Sequence, residues 1–272
     1  MTNPDGSLAQ YDSPADRTRL HLQGSADRVL MVEGVADATV LREVLPHYAI
    51  VIAGKREKVL RAAEELLDAG QKRFVAVIDR DFEPVPEGGD WNEVLFPYEG
   101  RDLECMLVEL GGLARLIRFK GVDAKVTKAG GPDEVVKRCK LAIEPVTRLR
   151  SHARVHEWAL AFDRVPIEGK VQAETLALKH LPYCMALVAA SDTDLAVRDV
   201  EQVASDASVD PGPPRGKDVV AVAAVALRKI AGDLPKAACD PGVLCADLHG
   251  YSLLLLRESA WLGQLLHRLS AA

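Results

Sequence analysis

Two short acidic motifs carry the residues best suited to chemistry: Glu33-Gly34-Val35-Ala36-Asp37, after the apolar run Val29-Leu30-Met31-Val32, and Asp79-Arg80-Asp81, after Phe74-Val75-Ala76-Val77-Ile78. Each group stands where a buried strand would end. Carboxylates set by parallel strands at one sheet edge can jointly hold Mg2+ or Mn2+, hard cations that prefer oxygen ligands. Side chains alternate along an extended chain, so Asp79 and Asp81 are expected on one face, sharing an ion or its water shell. Asp37 follows Glu33 by about one helical turn and can turn back towards the same edge. Crowded carboxylates repel and raise one another's pKa values, a conflict that a divalent cation removes. The same cation would polarise a phosphoryl oxygen and supply a hydroxide-like nucleophile, with Glu33 as general acid or base. An Asp at a strand end also serves as a helix cap or turn residue, so either motif alone says little. Their joint occurrence in one frame is more specific.

The elements that must position these residues are legible around them. Val29 to Val32, Ala49 to Ala53 and Phe74 to Ile78 are continuous apolar runs suited to strands buried on both faces. Between them, Ala36 to Leu45 and Lys55 to Leu67 have helical spacing, stopped by Pro46 and Gly70. Such alternation implies parallel pairing through right-handed crossovers, which brings all three strand C-termini to one edge. The stretch from Glu83 to Asp90 is broken by Pro84, Pro86, Gly88 and Gly89 and reads as a loop beside the acidic site. Val94-Leu95-Phe96 fits a short edge strand, and Asp102 an N-cap for a helix through Leu103, Met106, Leu107 and Leu110. Beyond Gly121 the strand signals fade. Helices are expected over Pro132 to Leu149, Val155 to Ala161, Thr193 to Ala204, Lys217 to Ala231 and Ser252 to Leu269, with a loop from Ser205 to Gly216. The expected organisation is a flexible segment over 1–24, an α/β catalytic domain over 25–120 and a helical domain over 121–272.

Composition sets limits on the class of protein. A 272-residue chain with 48% hydrophobic and 27% charged residues describes an ordinary globular protein of one large or two smaller domains. The formal net charge of -6 argues against a general basic coat for nucleic acid, while leaving room for a local basic groove. Such a groove is sought first in Val136 to Arg154, which carries Lys137, Arg138, Lys140, Arg148, Arg150 and Arg154; a solvated helix face explains these charges equally well. Five cysteines form no Cys-x-x-Cys pair, and Cys239, Cys245, Asp247 and His249 match no standard metal spacing, so packing roles and a reducing cytoplasm are expected. The polar N-terminal stretch lacks a signal-peptide core, and the late run Tyr251 to Leu256 falls well short of the roughly 20 residues a membrane span needs. Trp91 and Tyr98 are candidates for stacking on an extruded base or, more commonly for such residues, packing anchors. The apolar final helix completes the core or forms a contact in a homo-oligomer.

Val29 to Asp37 together with Val75 to Asp81 resemble the two signature motifs of a TOPRIM domain, found in topoisomerases, bacterial primases, recombination-mediator proteins and OLD-family nucleases. The likeness covers roughly Asp27 to Leu107. It is closest to the small TOPRIM effectors of bacterial phage defence that are paired with an ABC-like ATPase in PARIS systems. Gly54-Lys55, Arg101-Asp102-Leu103-Glu104 and Arg215-Gly216-Lys217-Asp218 carry this closer match, although the family often has His where Lys217 stands. The resemblance implies a Rossmann-like, mostly parallel sheet flanked by helices and followed by a mainly helical region. It also implies a Mg2+-dependent nuclease acting on DNA or RNA. In that scheme Glu33 is the catalytic acid or base, Asp79 and Asp81 are metal ligands, Asp37 is a second-metal ligand and Glu104 adds a carboxylate. Lys55 would neutralise charge in the transition state, and Arg215 and Lys217 would contact substrate or bridge the two halves. Each has a plainer alternative: Glu104 as a helix-start charge, Lys55 as a solvated lysine, Arg215 and Lys217 in local salt bridges. A noncatalytic TOPRIM module for protein contacts is the competing function.

Overall fold

The computed structural model describes residues 13–270. The chain divides into two compact units: one holds the chain up to Arg80, Pro84–Glu99 and the chain from Leu256 onward; the other holds Asp81–Glu83 and Gly100–Leu255. This division departs from a single boundary near residue 120: residues 100–120 fall in the second unit, and the C-terminal helix falls in the α/β unit.

The first unit begins with α1 (Pro14–Gly24), whose N-cap Ser13 accepts a hydrogen bond from Asp16 N–H and whose Ala15, Thr18 and Leu22 are buried. Residues 14–24 are therefore helix, where composition alone suggests a flexible segment; residues 1–12 lie outside the described part. Next come β1 (Val29–Val32), α2 (Val35–Val44), β2 (Ile50–Ile52), α3 (Arg56–Asp68), β3 (Phe74–Ile78), the short α4 (Trp91–Val94) and β4 (Leu95–Pro97). All strand pairings are parallel, in the order β2-β1-β3-β4. Every residue of β1 and β3 is buried, which is why both read as unbroken apolar runs rather than alternating ones. Val29, Met31, Phe74, Ala76 and Ile78 share a core with Ala15 and Leu22 of α1 and Val59, Ala63 and Leu66 of α3. The chain steps from β1 outward to β2 and then back across β1 to β3, so right-handed crossovers place α2 and α3 on opposite faces. The last helix, Ala260–Ser270, buries Trp261, Leu262, Leu265 and Leu269. Trp261 donates to Pro97 O at 3.1 Å and stacks on Tyr98, with ring centroids 5.1 Å apart, so this helix completes the core beside the β4 edge.

The second unit is helical: α5 (Leu103–Glu109), α6 (Gly112–Lys120), α7 (Asp123–Lys128), α8 (Pro132–Val155), α9 (His180–Ala190), α10 (Val197–Ser205), α11 (Gly216–Lys229) and α12 (Pro241–Arg257). Val219 to Leu227 of α11 are all buried, the mark of a helix surrounded by others. Expected and observed helices differ in several places: α7 was not anticipated, α10 begins at Val197 rather than Thr193, and α12 begins at Pro241 rather than Ser252. Residues 156–161 are not helical: α8 stops at Val155, and Glu157 takes a left-handed φ of 55° that turns the chain away. Helix α9 went unread because its apolar residues surround it without a periodic stripe. The expected helix from Ser252 to Leu269 is two helices, the second capped by Ser259, whose hydroxyl accepts from Leu262 N–H at 3.1 Å. Among the described residues no helix is long and apolar enough to cross a membrane. Each of the five cysteines is a free thiol.

Candidate active site

In the first unit the candidate site lies where the strand order reverses. β1 and β3 are the two central strands, and their connections leave in opposite directions, the topological position at whose C-terminal strand ends open α/β sheets place ligands. Glu33 follows β1 and Asp79 follows β3. The two are joined directly: Asp79 N–H donates to Glu33 Oε1 at 2.8 Å. That bond fixes the Glu33 carboxylate against the backbone that carries Asp79.

Asp37 sits in the first turn of α2 and has a role in the fold. Its Oδ2 accepts from Gly34 N–H at 3.0 Å and its Oδ1 accepts from Tyr98 O–H at 2.9 Å. The first bond caps the helix N-terminus, and Gly34 is what leaves it room: a Cβ there would lie 2.9 Å from Asp37 Oδ2. Tyr98, only 1% exposed, is a packing anchor rather than a base-stacking platform, and Trp91 packs against the sheet core. Lys55 is exposed and forms the N-cap of α3, at the positive end of that helix dipole and just beyond β2.

Arg56 is the residue the motifs do not announce. Buried at 7% exposure, it donates from Nη1 to Asp79 O at 2.8 Å and Arg80 O at 2.9 Å, and from Nη2 to Pro84 O at 2.7 Å. Three carbonyls leaving β3 are thus gathered on one guanidinium. Its sequence signal was the basic residue immediately after Gly54-Lys55, overshadowed by the lysine. Replacing Arg56 with Met keeps the aliphatic stem but leaves these buried carbonyls without the donor, and is expected to destabilise the unit by about 3 kcal/mol or more. Arg56→Lys should recover little, since one ammonium cannot reproduce the fork. Thermal unfolding of both variants checks this; wild-type stability in Arg56→Met would remove the guanidinium from the account.

The second unit holds the remaining candidates. β3 ends at Ile78, and Asp81 has a left-handed φ of 43°, so strand alternation does not extend to it. Its turn is pinned by Arg101: Asp81 N–H donates to Arg101 O at 2.9 Å, and Arg101 Nη1 donates to Asp81 O at 2.7 Å. Glu104, buried at 3% exposure, lies between two basic groups, with His249 Nε2 at 3.0 Å from Oε1 and Lys217 Nζ at 3.9 Å from Oε2. Burial acts to raise its pKa, but the bond from His249 and the charge of Lys217 outweigh it and hold the carboxyl below its ordinary value. Arg215 reaches Asp163 at 2.8 Å and Asp102 at 3.9 Å, so it takes part in local ion pairs. Asp102 caps two helices at once. Its Oδ1 accepts from Cys105 N–H of α5 at 2.7 Å and from Gly216 N–H of α11 at 3.0 Å. The two helices meet so closely that a Cβ on Gly216 would lie 2.0 Å from Cys105 N.

The expected basic stripe on α8 is largely engaged within the protein. Arg138 donates to the carbonyls of Glu174 and Thr175, Lys140 pairs with Glu109, Arg148 holds Ala204 O and Val209 O, and Arg150 is bidentate on Asp218. Structure, not a free cationic track, accounts for most of these charges.

Asp79 presents a carboxylate, the hard-oxygen donor type that Mg2+ takes, while the Glu33 carboxylate is engaged by the Asp79 backbone N–H. That ion keeps several waters and needs only one or two protein carboxylates besides substrate phosphates. Among the described residues no group of three or more His, Cys, Asp or Glu side chains is arranged to hold a metal ion. No protein-family model matches the chain, and no curated protein matches it.

Proposed function

We propose that this chain is a Mg2+-dependent nuclease of TOPRIM type, cutting phosphodiester bonds in DNA or RNA, and that it serves as a phage-defence effector restrained by an ABC-like ATPase. The observation that supports this reading best is the direct coupling of Glu33 to Asp79 at the switch point of a parallel sheet. The bond satisfies a backbone donor at the end of β3 and at the same time fixes the Glu33 carboxylate beside Asp79. In the proposed reaction, Asp79 would hold the cation. A bound Mg2+ would neutralise phosphate charge and acidify a coordinated water. Glu33, positioned by its bond to the Asp79 backbone, takes a proton from the attacking water or returns one to the leaving oxygen. Lys55, at the N-terminus of α3, favours the phosphate by its own charge and that of the helix end. Asp37 supports this site by capping α2.

The test incubates the protein, alone and with any ABC-type ATPase encoded beside it, with plasmid DNA and total RNA in Mg2+ or Mn2+. Glu33→Ala, Asp79→Ala and an EDTA control complete the set. Cleavage is expected only with the cation, at rates lowered by about 100-fold or more in either variant. If neither polymer is cut in any arm, or the variants cut as well as the parent, the nuclease reading fails and the noncatalytic interaction module replaces it.

A further inference from the structure

The second unit contains an open groove of about 600 Å³ with Asp81 in its wall. Three aromatic side chains line it, Phe82, Trp158 and Phe162. Each ring is held in orientation by a neighbour. Arg101 lies over Phe82 at 4.4 Å from the ring centroid, Arg150 over Phe162 at 4.6 Å, and His152 meets Trp158 edge-on at 4.5 Å between centroids. Arg150 is itself fixed by its bidentate pair with Asp218.

The charges around these rings are mixed, with no cationic excess. Arg150, Arg154 and Arg215 line the groove together with the carboxylates Asp81, Glu83, Glu157 and Asp163. Arg215 pairs with Asp163, whose side chain is 81% exposed, and Arg154 stands 3.6 Å from Glu83 with half its side chain in solvent. Such a wall offers little to the double row of phosphates on a duplex, whose binding is driven by many uncompensated Lys and Arg contacts. Aromatic faces are useful only to bases whose own faces are uncovered, and in a duplex stacking covers them. The volume lies within the range of small-ligand pockets and suits a nucleotide rather than a helix.

We propose that this groove receives an unpaired nucleotide, so that the protein acts on single-stranded segments or loops rather than on continuous duplex. The inference rests on the nuclease reading for its link to cleavage, but the binding it describes is measurable separately. The base stacks on Trp158 and its neighbours, and the exposed Arg154 takes one flanking phosphate in exchange for its loose contact with Glu83.

The test measures fluorescence anisotropy of labelled dodecamers in EDTA, where no metal-dependent turnover occurs. Single-stranded DNA, single-stranded RNA and the matching duplexes form the arms. Single strands are expected to bind at least about 10-fold tighter than duplex, with a shallow salt dependence corresponding to one or two phosphates. Trp158→Ala is expected to weaken single-strand binding about 10-fold, while Trp158→Phe retains it because a stacking face remains. Arg154→Glu, at an exposed position that leaves the core untouched, should weaken it by a similar factor and flatten the salt dependence further. Equal affinity for duplex, or unchanged single-strand affinity in Trp158→Ala, overturns the proposal. If single strands bind through Trp158 yet nothing is cut in Mg2+, the groove stands and the nuclease reading falls. If duplex is cut while single strands are neither bound nor cut, the nuclease reading stands and the groove falls.

Discussion

Glu33→Gln is expected to lower the cleavage rate by about 10² to 10⁴ while leaving the melting temperature within about 2 °C of the parent. The amide side chain has nearly the shape of the carboxylate, and its oxygen can still accept from Asp79 N–H, the 2.8 Å bond that ties the ends of β1 and β3 together. What the variant loses is the charge and the capacity to carry a proton. Glu33→Ala removes both functions, so the bond to Asp79 is lost along with the chemistry. Comparing the two separates positioning from proton transfer: a purely structural Glu33 would make the alanine variant unstable and leave the glutamine variant active. Full activity in Glu33→Gln would therefore remove Glu33 as the acid or base. A rate loss accompanied by an equal melting-temperature loss in both variants would point to the fold instead.

The α/β frame was legible because parallel strands buried on both faces leave an unmistakable trace. Val29–Val32 and Phe74–Ile78 carry no polar residue, and the glycine and proline stops between them match the observed crossovers. The edge strand at Leu95–Pro97 and the cap at Asp102 followed from equally local patterns. Contacts made far along the chain were not legible. Arg56 gathers carbonyls 23 to 28 residues away, and no local rule distinguishes a buried arginine from a solvated one at a helix start. His249 lies 145 residues from Glu104, so its approach to that carboxylate belongs to tertiary structure alone. The turn at Asp81 escaped for another reason. Period-two reasoning holds only while the backbone stays extended, and the positive φ at Asp81 ends it. Similarly, the charges of α8 suggested a track for nucleic acid because sequence shows which residues are basic but not which carbonyls and carboxylates fold back onto them. The loop after Ser205 was read correctly as irregular, yet it is held at Val209 O and Pro213 O by arginines from distant segments.

Asp102 is where the largest stability effects should appear, and two substitutions there should act in opposite directions. Asp102→Ala deletes the acceptor shared by Cys105 N–H and Gly216 N–H, in a site only 1% exposed. Water cannot replace it readily, and close contact at Gly216 leaves the two helices no freedom to adjust. Loss of a helix cap plus two unsatisfied buried donors should cost about 3 to 5 kcal/mol, lowering the melting temperature by about 10 °C. Asp102→Asn keeps Oδ1, which accepts from both N–H groups, and removes the charge together with the longer second contact from Gly216 N–H to Oδ2 at 3.2 Å. That charge is costly in the folded protein: burial, and then the neighbouring Glu104, raise the Asp102 carboxyl from 3.8 to about 7. The native state thus binds this proton more tightly than the unfolded chain does. Its stabilising contribution is fully present below about pH 4 and is lost as pH rises through about 7. Relative to the parent, Asp102→Asn should therefore gain stability between about pH 4 and pH 7 and level off above that. Glu104, whose carboxyl is held below its ordinary value, contributes in the opposite sense, with stability lost as pH falls. Because the two carboxyls interact, the difference between the two proteins' curves reports Asp102 together with its coupling to Glu104. Denaturant unfolding across this pH range measures that difference. A flat difference curve would show that the two helix N–H groups stabilise the Asp102 carboxylate enough to cancel the penalty of its burial.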